Sequence, residues 1–518
     1  MPLPCTTVHY QVIFLLNFRF FTMDLGRVQH FLQGKNILII GATGFLAKVF
    51  VEKVLRVQPE INKLYLLLRA SNSDMASQRL QNEVIQSDLF SVLRDKLGED
   101  FDSFISQKVV VVAGDISLEN FGLINVNLQN EMLEEIDIIV NFAASTKFHE
   151  RFDTSMGVNT MGALHVLNFA KNCHKIQLLL HISTAYVCGE PQKGETIILE
   201  KPFEMGQPLK GTSKLDIHEE KKLMENKIEE LRAKNADEKT VKYGMKDYGI
   251  ERANLYGWPN TYVFTKAMGE MLVVHHKDNM PLIIIRPTMI TSTYKDPFPG
   301  WIEGLRTIDS HIGSYGQGKV SCFTGHPHTI LDTIPVDMVI NCVITAIVTH
   351  SNQASKNFIY HVSSSSRNPM RIMHVLDLSY RYFTKTPFMN KRGKPVIISK
   401  GVLLRSMDAF NKYITIRYVL PLKVLNLGNK LFCMFFQDLY DNSHQKIRIV
   451  KLMAKLYKPY VFLRLCTFDD TNTEKLRMET KVDSNMEVGV LDFDPTSIDW
   501  TEYMMNVHIP GLVKYAMK

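Results

Sequence analysis

The feature that most constrains this chain is an apolar strand that runs without a break into a glycine turn and then into a helix. Asn36–Ile40 (NILII) is a continuous run rich in β-branched residues, the pattern of a parallel strand covered on both faces. Gly41-Ala42-Thr43-Gly44-Phe45-Leu46-Ala47 follows, and KVFVEKVLRV after it has helical apolar spacing. In a strand–turn–helix unit of this kind, backbone N–H groups can be brought up to a pyrophosphate. Gly41 permits the tight turn, Gly44 lets the backbone approach the phosphates, and Ala47 is small enough for the helix to close on the strand. Gly41, Thr43, Gly44, Phe45, Leu46 and Ala47 are therefore the expected cofactor-binding segment, with the phosphates at the positive helix end. A glycine turn without a ligand is the alternative.

The alternation continues downstream. A second strand at 64–68 is closed by Arg69, a charged helical stretch covers about 76–98, and strands recur at Val109–Ala113, 136–142 and 177–182, with a helix over 159–173. Strands alternating with helices predict an α/β fold, a Rossmann-type doubly wound parallel sheet. Residues 190–250 interrupt it. Their centre, HEEKKLMENKIEELRAKNADEK, reads as a solvated helix in preference to a lid. Residues 262–276 are helical, and 281–285 form another strand that ends at Arg286-Pro287. The alternation weakens after about 300, and from about 400 the chain reads as mainly helical, with a basic apolar segment at 445–464. The expected division is an extension at 1–34, an NADP-binding domain at 35–300 carrying the 190–250 insertion, a substrate-binding region at 301–400 and a helical C-terminal domain at 401–518.

Composition narrows the function classes. At 518 residues the chain is too long for one small core, and 45% hydrophobic with 22% charged residues is ordinary for a globular protein. A net charge of +7 suits polyanionic small molecules such as dinucleotides or coenzyme A, or an anionic membrane surface. No basic arm, zinc-finger spacing or RNA-binding signature is present, so nucleic acid is not an expected partner. The seven cysteines (Cys5, Cys173, Cys188, Cys322, Cys342, Cys433 and Cys466) form no CxxC pair, which argues against a disulfide framework and a zinc site. His275-His276 and His326-Pro327-His328 lack the spacing of a helical metal pair, and no metal is expected. Residues 8–18 (VHYQVIFLLNF) are apolar but short, with no basic segment before them. Met23 is read as an alternative or true start with residues 1–22 dispensable; a weak membrane anchor is the rival reading.

Arg69 stands where an acid would bind an unphosphorylated ribose, so a guanidinium there predicts the 2′-phosphate of NADPH, with Arg79 as a helper. Asp115 and Ile116 are expected at the adenine edge, while Ala143 and Ala144 leave room for the nicotinamide ribose. Tyr262-x-x-x-Lys266 places both side chains on one helical face, where the ammonium is expected to lower the tyrosine pKa from about 10. A phenol so placed can give a proton to a carbonyl that receives hydride. Ser183-Thr184-Ala185-Tyr186-Val187-Cys188-Gly189 follows a strand and supplies a hydroxyl for the same oxygen, Thr184 before Ser183. Cys188 is read as a buried small side chain in preference to a nucleophile.

These residues make the chain resemble a plant-type, alcohol-forming fatty acyl-CoA reductase of the male-sterility-like family, within the extended short-chain dehydrogenases. The likeness runs from about residue 23 to 518. It rests on GATGFLAKVFVEKVLR at 41–56, KLYLLLRA at 63–70, VVVVAGDIS at 109–117 and LLLHISTAYVCGE at 178–190. It continues in GWPNTYVFTKAMGEML at 257–272, IIIRPTMITSTYKDPFPGWIEG at 283–304, FDDTNTEKLRM at 468–478 and VHIPGL at 507–512. The resemblance implies NADPH as donor, Tyr262 and Lys266 as the catalytic pair, Thr184 as carbonyl partner, and a helical C-terminal domain special to these enzymes. Two departures stand out: Ile40 replaces the usual threonine before the glycine motif, and STKFHERFD at 145–153 carries Lys147 and His149 where the family has an uncharged residue and an acid.

The expected reaction is the NADPH-dependent reduction of long-chain fatty acyl-CoA to a primary alcohol for wax, cutin or suberin lipids. The expected setting is the cytosolic face of the endoplasmic reticulum, with cytoplasm or plastid as alternatives, and the apolar, basic C-terminal third is expected to hold the acyl chain or to sit on a membrane. The rivals are an extended short-chain dehydrogenase acting on another carbonyl, and an NADPH-binding paralogue with little or no turnover.

Overall fold

Strand β1 (Asn36–Ile40) is buried along its whole length, as a β-branched run between two neighbouring strands must be. In the computed structural model, which describes residues 25–191, 194–211, 213–351, 353, 357–431, 437–462, 466–479 and 491–517, it lies near the middle of a seven-stranded parallel sheet. The apolar run at 8–18, Met23, Cys5 and Cys433 lie outside the described residues. The other strands are β2 (Lys63–Leu68), β3 (Val109–Ala113), β4 (Ile138–Asn141), β5 (Leu178–Ile182), β6 (Leu282–Pro287) and β7 (Asn357–Val362). Their order is β7-β6-β5-β4-β1-β2-β3, so the chain reverses direction of travel across the sheet between β1 and β4. That crevice, at the carboxyl ends of the strands, is where a doubly wound sheet binds its ligand.

The helices that position the site are α1 (Phe45–Val57), α2 (Gly162–Asn172), α3 (Ile217–Ala233), α4 (Glu238–Leu255), α5 (Thr261–His276), α6 (Val336–His350), α7 (Leu420–Leu431) and α8 (Gln437–Val461). The sheet does not end at the expected boundary near 300. β7 pairs with β6 from the stretch read as a substrate region, and α6, buried on almost every face, packs against the same sheet. Burial hid both from a periodicity argument: in VDMVINCVITAIVTH even the polar stripe Asp337, Asn341 and Thr345 is buried, and NFIYHV reads neither as alternating nor as wholly apolar.

The 190–250 insertion is a helical pair. α3 and α4 are joined by Glu220, which receives Arg252 and the Tyr256 hydroxyl. Gly249 of α4 lies so close to α5 that a Cβ would stand 2.7 Å from Thr261 Oγ1. The insertion therefore braces the start of α5.

Two motifs quoted from distant parts of the sequence meet. In VHIPGL, His508 is fully buried, with Nε2 3.0 Å from Asp309 Oδ1 and Nδ1 3.1 Å from Ser292 Oγ. A Cβ on Gly511 would stand 2.0 Å from the Gly300 carbonyl of PFPGW, so the turn and the terminal segment touch backbone to backbone. Thr467–Phe468 also pairs in parallel with Ile197–Ile198, which stitches the C-terminal third to the insertion.

Candidate active site

Gly41 turns at φ +81°, and a Cβ there would lie 2.8 Å from the backbone N and Cα of Ala143. Only glycine allows that approach between the turn after β1 and the loop after β4. The Gly44 amide donates to the Gly41 carbonyl at 2.9 Å, and among the described residues no side chain caps the N-terminus of α1. The first-turn amides are thus left for an anion. Ala47 is fully buried, and Phe45 turns away to stack on Trp301 at 5.3 Å. Phe45 and Leu46 can serve a phosphate through backbone N–H groups only.

A cleft of about 390 Å³ opens over the ends of β1 to β4. It is lined by Gly41, Thr43, Gly44, Arg69, Asp115, Ile116 and Ala143, so the residues expected at different strand ends converge on one space. The cleft, the uncapped helix end and the glycine cradle fit a dinucleotide. Arg69 is exposed on its rim, and no acid among the described residues pairs with it. Arg79, the expected helper, also lines the cleft but is engaged. Its Nε lies 2.6 Å from Glu83, and its remaining terminal nitrogen donates to the Arg69 carbonyl at 2.6 Å. Asp115 holds its own turn together by accepting from the Ser117 amide at 2.9 Å and hydroxyl at 2.7 Å.

The loop after β4 joins the cleft to helix α5. Ala143 to Lys147 line the cleft, while Phe148 stacks on Tyr262 at 6.1 Å. Asn159 fixes this loop by accepting from the Ser145 amide at 2.9 Å and donating to its carbonyl at 3.0 Å. The same side chain donates to Thr265 of α5 at 2.9 Å. In the departing segment at 145–153, Lys147 pairs with Glu150 at 3.3 Å, and His149 meets Asp247 of α4 at 3.2 Å.

α5 begins because Asn260 caps it, accepting from the Val263 amide at 3.1 Å. Tyr262 and Lys266 follow one turn apart. The Thr184 hydroxyl is close enough to the Tyr262 phenol to draw its pKa down, whereas among the described residues the Ser183 hydroxyl is buried without a partner, so Thr184 is the one brought to the site. Burial pushes the Tyr262 pKa up to about 12, against the opposing pull of Thr184 and of the Arg306 guanidinium. The expectation that Lys266 lowers it is not met. The Lys266 amine turns beneath the phenol to the Ile182 carbonyl at 2.6 Å and His181 Nε2 at 3.3 Å. Burial brings Lys266 itself down to about 8, opposed by Glu270 one turn on. The Cys188 thiol is pushed far up by burial beside Ala185, Ile198, Cys466 and Phe468, so it is a packed side chain.

Several residues of the site carried no sequence signal. Arg306 lies in a loop and acts on Tyr262 through space. His181 and Asn141 form a buried chain to Lys266, with Asn141 Nδ2 3.2 Å from His181 Nδ1. Tyr457 and Tyr460 of α8 close over Phe148 at 5.2 and 5.4 Å, and the Tyr460 hydroxyl accepts from Asn260 at 2.8 Å. Tyr186 meets Tyr460 edge-on at 5.2 Å, and His311 meets Tyr457 at 5.4 Å. An aromatic roof made partly by α8 therefore covers Phe148 beside Tyr262.

Comparison with known proteins agrees with this construction. Residues 39–343 match the NAD-binding family model described as male sterility protein, and residues 417–518 match a second, also described as male sterility protein. The chain is 50% identical over 495 residues to the alcohol-forming fatty acyl-CoA reductase of Simmondsia chinensis, covering 95% of this chain and 99% of that one. It is 50% identical over 489 residues to fatty acyl-CoA reductase 1 of Arabidopsis thaliana, covering 94% and 98%. Among solved structures, the terminal R domain of the myxalamid PKS-NRPS pathway shares the fold, with a TM-score of 0.54 and 17% identity over 93% of this chain and 91% of that one. Half-identity along nearly the whole of both chains, with a family model on each half, makes this protein a member of the fatty acyl-CoA reductase family of male sterility proteins.

Proposed function

We infer that this chain reduces a long-chain fatty acyl-CoA to the primary alcohol in two steps at one site, using NADPH and releasing coenzyme A. The observation that carries the reading is the double role of the loop at 143–148. One side of it lines the nucleotide cleft, and its Phe148 lies against Tyr262, whose pKa the Thr184 hydroxyl draws down. Bound at Gly41, Gly44, Arg69, Asp115 and Ala143, the cofactor would supply hydride.

The protein's own part is proton supply and positioning. With its pKa near 12, Tyr262 stays protonated at neutral pH and can give its proton to the carbonyl oxygen of the thioester. Thr184 donates a hydrogen bond to the same oxygen. The tetrahedral carbon then collapses: its hydroxyl returns the proton to the Tyr262 oxygen, the carbon–sulfur bond breaks, and coenzyme A leaves as thiolate. The aldehyde that remains meets the same phenol and hydroxyl for the second reduction. Phe148, Tyr186, Tyr457 and Tyr460 give this space apolar walls, which favours a long acyl tail. Each buried methylene contributes about 0.8 kcal/mol, so a long chain stays bound while spent cofactor is exchanged.

The preference for NADPH rests on Arg69, a cleft-lining cation that no acid among the described residues engages. The products belong with wax, cutin or suberin lipids, made at the cytosolic face of the endoplasmic reticulum. The alcohol as end product is supported by the name of the Simmondsia relative. Incubating the protein with acyl-CoA esters of graded length and NADPH tests the reading. The expected result is two NADPH consumed per alcohol, little free aldehyde from long chains and more from short ones. Mainly free aldehyde at one NADPH per turnover from a long-chain substrate would overturn it.

A further inference from the structure

Charge is divided unevenly along this chain. Residues 378–468 hold 17 of the 60 lysines and arginines but only Asp408, Asp438 and Asp441 of the 53 acids, so this segment carries +14 and the remainder −7. Between Asp408 and Asp438 there is no acid at all. A block so one-sided faces a polyanion.

The same block exposes apolar side chains in register. The helical run Met407–Ile414, Thr415–Val419 and α7 buries Phe410, Ile414 and Leu422. Its other face presents Leu420, Val424 and Leu427 at i, i+4 and i+7, with Ile416 one turn earlier. Their exposures are 48%, 70%, 67% and 68%, far beyond what a folded surface leaves on neighbouring aliphatic residues. Lys412, Arg417 and Lys423, all exposed, flank that stripe. α7 packs against α8, which adds the exposed Ile449 and the cations Lys446, Arg448 and Lys455. Among the described residues no helix is long and apolar enough to cross a membrane.

We propose that the α7 face rests on an anionic lipid bilayer, with Ile416, Leu420, Val424 and Leu427 dipping into the acyl boundary while Lys412, Arg417 and Lys423 meet headgroup phosphates. An aliphatic stripe edged by cations is the composition that lies in the interfacial plane of a bilayer. A nucleic acid would use the cations and leave the stripe unexplained. The last turns of α8 carry Tyr457 and Tyr460 to the catalytic tyrosine, so the helical pair joins the bilayer face to the roof of the site. The proposal concerns lipid binding and stands independently of the reaction proposed above.

The test is flotation of the full chain with phosphatidylcholine vesicles, with and without phosphatidylserine. Binding is expected to be at least about tenfold stronger with the anionic lipid and to weaken as salt is raised. Val424→Asp/Leu427→Asp and Arg417→Glu/Lys423→Glu should each cut partitioning at least about tenfold, with melting temperature and reductase rate on soluble short-chain acyl-CoA retained. These side chains are exposed, so the variants fold. Equal binding to neutral vesicles, or full binding by the stripe variant, would overturn the proposal. So would loss of binding on removing residues 1–22 alone. A self-associated wild type that Val424→Asp/Leu427→Asp renders monomeric, without vesicle binding, would assign the stripe to a second copy instead.

Discussion

The nucleotide cleft and the space around Tyr262 adjoin across Phe148, yet they are made from opposite kinds of sequence. The cleft takes one contribution from each successive strand end, at Gly41, Arg69, Asp115 and Ala143, all from the first third of the chain. Each is set by a local turn. The space around Tyr262 gathers Phe148, Thr184, Arg306, Tyr457 and Tyr460, which are brought together only by tertiary packing. The first region can be rebuilt from short motifs. The second depends on α8 being seated on α5, so damage far away in sequence should reach the chemistry there and leave the cleft untouched.

The largest expected effect separates the two regions outright. Tyr262→Phe removes the proton donor and should lower alcohol formation about 10²–10⁴-fold. NADPH affinity, measured by fluorescence titration, should stay at the wild-type value, because no cleft residue is changed. A Tyr262→Phe enzyme with wild-type turnover would remove the catalytic assignment, and one that lost NADPH binding would show that the regions are not separable.

Lys266 gives the next largest effect and works through pH. Its pKa is near 8 in the folded protein, against about 10.4 in an unfolded chain. Between those values the unfolded state binds more protons, so stability rises with pH across this window, and the cost of burying the ammonium is complete below pH 8. Lys266→Met should therefore stabilise the apoprotein more at pH 7 than at pH 10.5, by up to about 3 kcal/mol, while activity falls. Thermal scans at both pH values read this. A gain equal at the two would mean that folding does not shift the Lys266 pKa.

Arg69 and Arg79 test the cleft alone. Arg69→Ala should lower the NADPH-to-NADH ratio of kcat/KM about ten- to one-hundred-fold, the equivalent of a charge-assisted bond of about 1.5–3 kcal/mol. Arg79→Ala should leave that ratio close to wild type, since its guanidinium is held by Glu83 and the Arg69 carbonyl. The opposite ranking would mean that Arg79 leaves Glu83 to read the phosphate.

How far each region could be read in advance follows from the same contrast. NILIIGATG names its own strand, turn and helix end, because glycine torsions and apolar runs are local facts, and the cleft residues appeared where expected. Tyr262 and Thr184 were legible as types, and their meeting followed once β5 and α5 were placed. The Lys266 expectation failed because a helical spacing says that two side chains share a face, not where a flexible amine points. The Ile182 carbonyl and His181 take it instead. The aromatic roof was out of reach, since nothing in HQKIRIVKLMAKLYKPYVFL reports that its last turns lie over residue 148, almost the whole Rossmann unit away. β7 was missed for a related reason: its six residues gain their strand character from pairing with β6.

Asn260 is where the two kinds of construction touch, and it gives the smallest and sharpest test. Its Oδ1 caps α5 through the Val263 amide, and its Nδ2 donates to the Tyr460 hydroxyl of α8. Asn260→Ala loses both, at about 1 kcal/mol for the cap and about 1 kcal/mol for the buried bond. Tyr460→Phe loses only the second, keeps the ring in the roof, and should cost about 1 kcal/mol. If α8 is held to the catalytic helix through this bond, the double variant should be no less stable than Asn260→Ala alone, a coupling of about 1 kcal/mol in a double-mutant cycle. Strictly additive losses in denaturant unfolding would mean that the bond carries no energy and that α8 is seated by ring packing alone. Kinetics gives a second reading of the same cycle. A loosened α8 should raise KM for long acyl-CoA in both single variants and leave KM for NADPH unchanged, because the roof belongs to the distant part of the chain and the cleft does not.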